Sequence, residues 1–200
     1  MNNGLFLNCI ADEQFARKGR EPANQIIAKR CIIDHAQSMR HSLCLTSSDL
    51  AGCYDRIIHT AAALALLRIR IPHSSIMSMF SSIQKMEHRI RTAYGDSDIT
   101  YGGNDLGDCE NYPQGVLQGN ASGPAIWSIL SSVVFDILHK RGFGTKIISS
   151  ISKGLFVLVG FSYVDDCDLL QTGEDPIKVI RSMQDLINSW GELMVKTALN

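Results

Sequence analysis

Two adjacent carboxylates, Asp165 and Asp166, stand between two short strand-like runs near the C-terminal end of the chain. Residues 155–161 form an apolar run with the β-branched and aromatic content of a buried strand, and a shorter run, residues 167–171, follows. The pattern predicts a β-hairpin with both carboxylates at its tip, where their charges repel each other. Such hard oxygen ligands suit Mg²⁺ or Mn²⁺. A solvated Asp-Asp turn is very common, however, and is the favoured interpretation of this stretch taken alone.

A third carboxylate, Asp49, follows another strand-like run, residues 42–48. If the two runs are neighbours in one sheet, Asp49 faces the hairpin tip and three carboxylates converge. Enzymes that use two metal ions for in-line phosphoryl or nucleotidyl transfer have this arrangement. The pattern therefore makes Asp49, Asp165 and Asp166 candidate catalytic and metal-binding residues.

The remaining elements are predicted mainly from apolar residues at helical spacing. We expect helices over residues 23–39, 54–70, 76–86 and 125–139 and after Pro176, and a strand pair over residues 88–94 and 99–101. We predict an α+β fold, in which an antiparallel sheet carries the carboxylates and helices pack on one face of it.

Two further stretches have the composition of ligand-binding loops. Residues 113–124 are Gly-rich and lead into the long apolar helix; glycine lets backbone approach a ligand, but a loop that caps a core helix is the simpler explanation. Near the N-terminus, Arg17, Lys18 and Arg20 place three cations within four residues. They could hold a triphosphate, and a solvated basic turn is an equally good interpretation.

Three of these motifs together resemble a known family. Asp49 with an aromatic residue five positions on, the pair Gln118-Gly119, and the run Tyr163 to Asp166 are similar to motifs A, B and C of reverse transcriptases. The resemblance covers roughly residues 12–195 and is to the palm domain of retrotransposon-type elements. It implies one domain over residues 1–200, with a partial fingers segment over about 11–41 and a palm over 42–200. Family members continue into a hairpin and a helical thumb after the last helix, and these 200 residues contain neither.

The resemblance implies an RNA-directed DNA polymerase, a nucleotidyltransferase that joins a deoxynucleoside triphosphate to a primer 3′-hydroxyl by a two-metal mechanism. The implied partners are an RNA template, a DNA primer and deoxynucleoside triphosphates, and the implied cofactors are two Mg²⁺ or Mn²⁺ ions. Asp49 and Asp165 would bridge the ions, Asp166 would complete the site, and the Leu50 carbonyl would be an additional ligand.

The same resemblance implies substrate-binding roles. Tyr54 would crowd the 2′ position of the incoming sugar, although a buried core tyrosine is the more common fate of such a residue. Gln118 and Gly119 would contact the nucleotide and template, and Arg17 and Arg20 would belong to the fingers. The chain departs from the family at Gly123, which replaces the serine that commonly precedes the proline of motif B.

Composition sets the remaining limits. A hydrophobic content of 45% and a charged content of 20% are typical of a globular domain. We find no signal peptide, no apolar run of membrane-spanning length and no Cys-x-x-Cys pair, and we therefore expect an intracellular protein, cytoplasmic or nuclear, without a zinc site. The net charge of −1 argues mildly against nucleic-acid binding.

Two alternatives to an active reverse transcriptase stay open. One is the palm of an RNA-dependent RNA polymerase, which the Tyr163-Val164 pair before the two aspartates disfavours. The other is a catalytically inactive retroelement remnant, which the near-neutral charge and the lack of thumb residues favour. On either view we expect the 200-residue chain alone to show at most trace primer extension.

Overall fold

Helices alternate with antiparallel strands along the chain. The computed structural model describes residues 9–17, 19–50, 52–102, 115–116, 122–148 and 153–197. The helices are α1 (Pro22–Met39), α2 (His59–Arg68), α3 (His73–Gln84), α4 (Gly123–Lys140) and α5 (Pro176–Thr197), with a 3₁₀ helix at Cys53–Arg56. The strands are β1 (Ser42–Asp49), β2 (Glu87–Thr92), β3 (Gly95–Gly102), β4 (Thr145–Ile148), β5 (Leu155–Leu158), β6 (Gly160–Tyr163) and β7 (Asp166–Gly173). This content confirms the predicted α+β class.

The central sheet has the strand order β1-β7-β6, and both of its ladders are antiparallel. A short segment beside β6 extends the sheet, because Gln14 forms a parallel bridge with Ser162 and the Phe15 N–H donates to the Ser162 carbonyl at 2.8 Å. The pairs β2–β3 and β4–β5 form separate two-stranded ladders. The β2–β3 pair confirms the strands predicted around residues 88–101.

Successive residues of β7 face opposite sides of the sheet, and each side has its own core. Leu169 belongs to the larger core, which contains residues from α2, α3, α4 and α5. Leu170 belongs to a smaller core that contains Ile32 of α1 and Phe161. By the same alternation Asp166 lies on the Leu170 side, so the α1 side of the sheet carries the carboxylate.

A proline and side-chain hydrogen bonds stabilise the N-termini of α1 and α5. Pro22 occupies the first turn of α1, where a missing N–H costs little, and the Asn24 carboxamide oxygen accepts the Glu21 N–H at 2.6 Å. At the N-terminus of α5 the Asp175 carboxylate accepts the Ile177 N–H at 2.9 Å. No helix in the described part of the chain combines the length and apolar content that crossing a membrane requires.

The single strand predicted over residues 155–161 is wrong: the run forms two strands, β5 and β6, in different sheets. The break falls at Val159, whose N–H donates to the Glu13 carboxylate at 3.2 Å. The next residue, Gly160, packs so closely that a Cβ there would overlap the carbonyl oxygen of Asp168. A tertiary contact and a close backbone approach therefore divide a run that is apolar throughout.

The helix predicted over residues 54–70 is also interrupted. A 3₁₀ helix ends at Arg56, and Ile57 adopts an extended conformation with ψ of 122° before α2 begins. Backbone hydrogen bonds to a distant segment explain the break, because the Ile57 carbonyl accepts the Gly115 N–H at 3.0 Å. That pairing removes the carbonyl from a continuous helical ladder.

Helix α1 is rotated from the predicted orientation. The apolar spacing places Ile26, Ile27, Ile32 and Ala36 on one buried face. Ile32 and Ala36 are buried, together with Gln25, whereas Ile26 and Ile27 are 67% and 59% exposed. The buried face is therefore partly polar at its N-terminal end, where Gln25 lines a groove with polar residues of the strands.

Candidate active site

The β6–β7 hairpin has a two-residue turn, Val164-Asp165, between the paired residues Tyr163 and Asp166. Val164 has φ of 59°, a conformation that is a genuine outlier for a β-branched residue. The buried indole of Trp127, on α4, donates from Nε1 to the Val164 carbonyl at 2.6 Å. Strained backbone persists where surrounding structure holds it and is concentrated at functional sites. Helix α4 therefore holds the carboxylate-bearing turn in place.

Asp49 and Asp166 lie directly opposite each other across the β1–β7 ladder. Side chains of such a pair share one face of the sheet, with Cβ atoms about 4.5–5.5 Å apart. Both residues are exposed, and neither forms an ion pair with another described residue. Like charges in opposed positions destabilise a sheet, so the pair favours a cation from solution.

Asp165 is half-buried and lies beside the 3₁₀ helix. Burial and the Asp165 charge raise the pKa of the Cys53 thiol to about 12. Burial, Cys53 and Asp165 also raise the pKa of the Tyr54 phenol. The carbonyl of Leu50, a predicted metal ligand, accepts the Cys53 N–H at 3.1 Å and keeps one lone pair for another partner.

The donor set fits a hard divalent cation by ligand type and charge. Within the described ranges, no three His, Cys, Asp or Glu side chains form a ready-made metal-binding group. The sheet brings Asp49 and Asp166 together, and Asp165 lies to their side, toward Cys53. Mg²⁺ is commonly held by one or two carboxylates, with water and substrate phosphate oxygens completing its shell. Two opposed carboxylates with a third nearby meet that requirement without a closed protein cage.

A groove of about 370 Å³ runs along this part of the sheet under α1. It is lined by Gln25, Lys29, Ser47, Ser48, Asp49, Asp166, Cys167 and Asp168. Lys29 forms an ion pair with Asp168, whose other oxygen accepts the Ser47 hydroxyl at 2.5 Å. The groove thus has a basic edge on the helix and an acidic edge on the strands.

Telomerases are among the solved structures with a similar fold. The chain superposes on telomerase from Candida tropicalis in complex with a TWJ fragment of telomeric RNA, with a TM-score of 0.59 and 18% identity over 97% of this chain. For the corresponding Candida albicans complex the TM-score is 0.57, with 14% identity over 92% of this chain. For apo Candida tropicalis telomerase truncated from its C-terminal domain the TM-score is 0.56, with 18% identity over 94% of this chain. The chain has a reverse-transcriptase-like fold.

The similarity is one of fold, and it covers only part of each telomerase chain. The chain spans 30–34% of the length of those telomerase chains. No protein-family model and no curated protein sequence matches it. The mixed helical and antiparallel architecture agrees with the polymerase palm expected from the sequence.

In this reverse-transcriptase-like fold, Tyr54 lies between Asp165 and the start of α4. Its ring contacts Gly123, where a Cβ would lie 3.5 Å from the Tyr54 Cδ1. Its hydroxyl is buried and has no hydrogen-bond partner among the described residues. Tyr54 is therefore a half-buried residue at the edge of the carboxylate cluster, a position that suits both a sugar gate and a core tyrosine.

The other predicted substrate-binding residues do not join the carboxylates in the described structure. Gln118 and Gly119 lie outside the described residues. Arg17 and Arg20 line a separate cavity of about 700 Å³, which shares no lining residue with the groove. Both are near Asp12, with nitrogen–oxygen distances of 3.4 and 3.9 Å, and the Arg20 guanidinium lies 4.7 Å from the centre of the Phe15 ring.

Sequence reasoning missed the buried polar contacts that hold the hairpin from its other edge. Glu13 is buried, and its carboxylate accepts hydrogen bonds from the Val159 N–H and from His139 Nε2, the latter at 2.7 Å. The Gln14 carboxamide donates to the Ser131 hydroxyl at 2.6 Å. The polar sequence of this segment predicts a loop or turn and gives no sign that β6 would pair with it.

The groove residues opposite the carboxylates were missed for the same reason. Asp168 follows Asp166 by two positions, so strand alternation could have placed both side chains on one face. Lys29 carries no local signal, since its partner is distant in sequence and depends on how α1 packs.

Proposed function

We propose that this chain is the palm of an RNA-directed DNA polymerase from a retrotransposon-type element. It would transfer a nucleotidyl group from a deoxynucleoside triphosphate to a primer 3′-hydroxyl on an RNA template. The main support is the opposed, unpaired carboxylate pair Asp49 and Asp166 at the hairpin end of a reverse-transcriptase-like sheet. The likeness to telomerases in complex with telomeric RNA supports an RNA partner.

Asp49, Asp165 and Asp166 would hold two Mg²⁺ or Mn²⁺ ions, and the Leu50 carbonyl would add a ligand. When bound, such ions lower the pKa of an attacking hydroxyl and stabilise negative charge on phosphoryl oxygens. The contribution of the protein is placement: the β1–β7 ladder opposes two carboxylates, and Trp127 holds the turn that carries Asp165. Preorganised ligands of this kind need little rearrangement when substrate arrives.

Substrate contacts would come from the surrounding elements. Tyr54 would lie against the sugar of the incoming nucleotide and exclude a 2′-hydroxyl, because its ring is fixed between Asp165 and Gly123. Gln118 and Gly119 would contact the nucleotide and template. Arg17 and Arg20 would bind substrate phosphates from their own cavity.

Primer extension on an RNA template with deoxynucleoside triphosphates and Mg²⁺ or Mn²⁺ tests the proposal in a longer protein, in which a thumb follows these residues. The longer protein is needed because the 200-residue chain alone is expected to give at most trace extension. Asp49→Asn and Asp165→Asn should abolish extension while circular dichroism shows the fold retained. Asp34→Asn is the matched control, because Asp34 is an exposed carboxylate on α1 that pairs with Arg30, away from the groove. It should leave extension unchanged.

The outcomes separate the alternatives. Full extension by Asp165→Asn would refute the enzyme assignment. Preference for ribonucleoside triphosphates would indicate an RNA-dependent RNA polymerase. Metal binding without any extension by the longer protein that includes a thumb, even at high primer–template concentration, would favour the inactive remnant.

A further inference from the structure

The groove beside the carboxylates is lined by a side-chain amide that has no partner among the described residues. Gln25 lies in the first turns of α1, and the residue as a whole is only 7% exposed. Its amide makes no hydrogen bond with the described residues, and its nitrogen and oxygen are not among the fully buried unpaired atoms. The amide is therefore accessible from the groove and can bond to a ligand that enters it.

Lys29 lies one helical turn further on and faces the same groove. Its ammonium has three donors, and Asp168 uses the side that faces the sheet. The Lys29 side chain is 31% exposed and that of Asp168 is 14% exposed, so the cation is the more accessible partner. The ion pair uses only part of the donor capacity of the ammonium, so donors remain for a ligand.

Two chemically different edges therefore face each other across the groove. The helix edge offers an ammonium and an amide, and the strand edge offers the opposed carboxylates Asp49 and Asp166. A free anion would be repelled by the strand edge, and a free metal ion would be repelled by the helix edge. A phosphate group that carries a divalent cation satisfies both edges at once.

We propose that Gln25 and Lys29 form a phosphate-binding wall of the active-site groove. The inference rests on the proposed function, because the substrate phosphate is what brings the cation to Asp49 and Asp166. The phosphate belongs either to the incoming nucleoside triphosphate or to the backbone of the primer strand. Lys29 shares its ammonium between Asp168 and the phosphate when the substrate is bound.

Binding of two probes to the 200-residue chain tests the inference. Calorimetry measures dTTP binding in the presence of Mn²⁺, and fluorescence anisotropy measures binding of a labelled RNA–DNA primer–template. Lys29→Met should weaken binding of at least one probe about tenfold, the amount expected for one charge-assisted hydrogen bond. Lys196→Met, which removes a surface ammonium paired with Glu192 on α5, is the control for net charge and should change neither dissociation constant.

Asp168→Asn separates a ligand role from a structural one. It breaks the same ion pair as Lys29→Met but keeps the ammonium, so it should leave phosphate binding unchanged or make it tighter. Gln25→Leu should weaken binding severalfold without lowering the melting temperature, because the amide has no partner in the described structure to lose. Equal weakening by Lys29→Met and Asp168→Asn would show that the pair is only structural and would overturn the inference.

The two probes also identify the source of the phosphate. Weakening confined to dTTP assigns the wall to the nucleotide, and weakening confined to the primer–template assigns it to the primer backbone. If the wild-type chain binds the probes and Lys29→Met binds them equally well, the inference is wrong and the proposed function stands. If the wild-type chain itself binds neither probe with Mn²⁺ present, the proposed function fails, and the inference fails with it.

Discussion

Two aspartates on the same face of β7 should respond in opposite directions to the same substitution. Asp166 faces Asp49 across the ladder and has no ion pair with the described residues, whereas Asp168 is paired with Lys29 and accepts the Ser47 hydroxyl. Asp166→Asn removes a repulsion. Asp168→Asn removes the partner of a partly buried ammonium.

The magnitudes follow from distance and burial. Two unit charges about 5 Å apart in a largely aqueous environment repel by about 1 kcal/mol, so Asp166→Asn should stabilise the metal-free protein by about 0.5–1 kcal/mol. Loss of a charged, partly buried partner costs about 1–3 kcal/mol, so Asp168→Asn should destabilise it by that amount. At about 2–4 °C per kcal/mol for a domain of this size, the two melting temperatures should move apart by several degrees.

Thermal denaturation with and without Mg²⁺ provides the assay. At about ten times its dissociation constant, a ligand that binds only the folded state adds about 1.4 kcal/mol of stability. The wild-type protein and Asp168→Asn should show this gain, and Asp166→Asn should show little or none. A decrease in the melting temperature of metal-free Asp166→Asn, or an equal Mg²⁺ effect in all three proteins, would refute the assignment of Asp49 and Asp166 as a cation site.

Three further substitutions test the surrounding structure. Tyr54→Ala should relax discrimination against ribonucleotides in primer extension while deoxynucleotide incorporation is kept; unchanged selectivity with a lower melting temperature would make Tyr54 a core residue. Trp127→Phe should cost about 1–3 kcal/mol in urea unfolding, because the Val164 carbonyl loses its buried donor, and an unchanged midpoint would argue against a held turn. Gly160→Ala should cost about 1–3 kcal/mol or more in the same assay, because the added methyl group overlaps the Asp168 carbonyl; wild-type stability would show that the strands separate easily.

Local sequence patterns were enough to predict most helices and strands and to place the three carboxylates at strand ends. Strand alternation and a short turn are properties of neighbouring residues, so the sequence could place Asp165 and Asp166 at a hairpin tip and Asp49 at the end of another strand. Pro176 and the acidic residues before it likewise predicted where α5 begins. The resemblance to reverse transcriptases supplied the pairing between those strands, which the β1–β7 ladder has.

Features that depend on distant partners were decided only by the tertiary structure. The run of residues 155–161 divides because the Val159 N–H donates to Glu13, 146 residues away in the chain, and no local pattern encodes that bond. Helix α1 presents Gln25 and Lys29 to the sheet, although Ile26 and Ile27 predicted another face. The physical reason is that a helix with apolar residues on several faces has no orientation of its own. Its packing follows the charges and shapes of the surface it meets, and here that surface includes the Asp168 carboxylate.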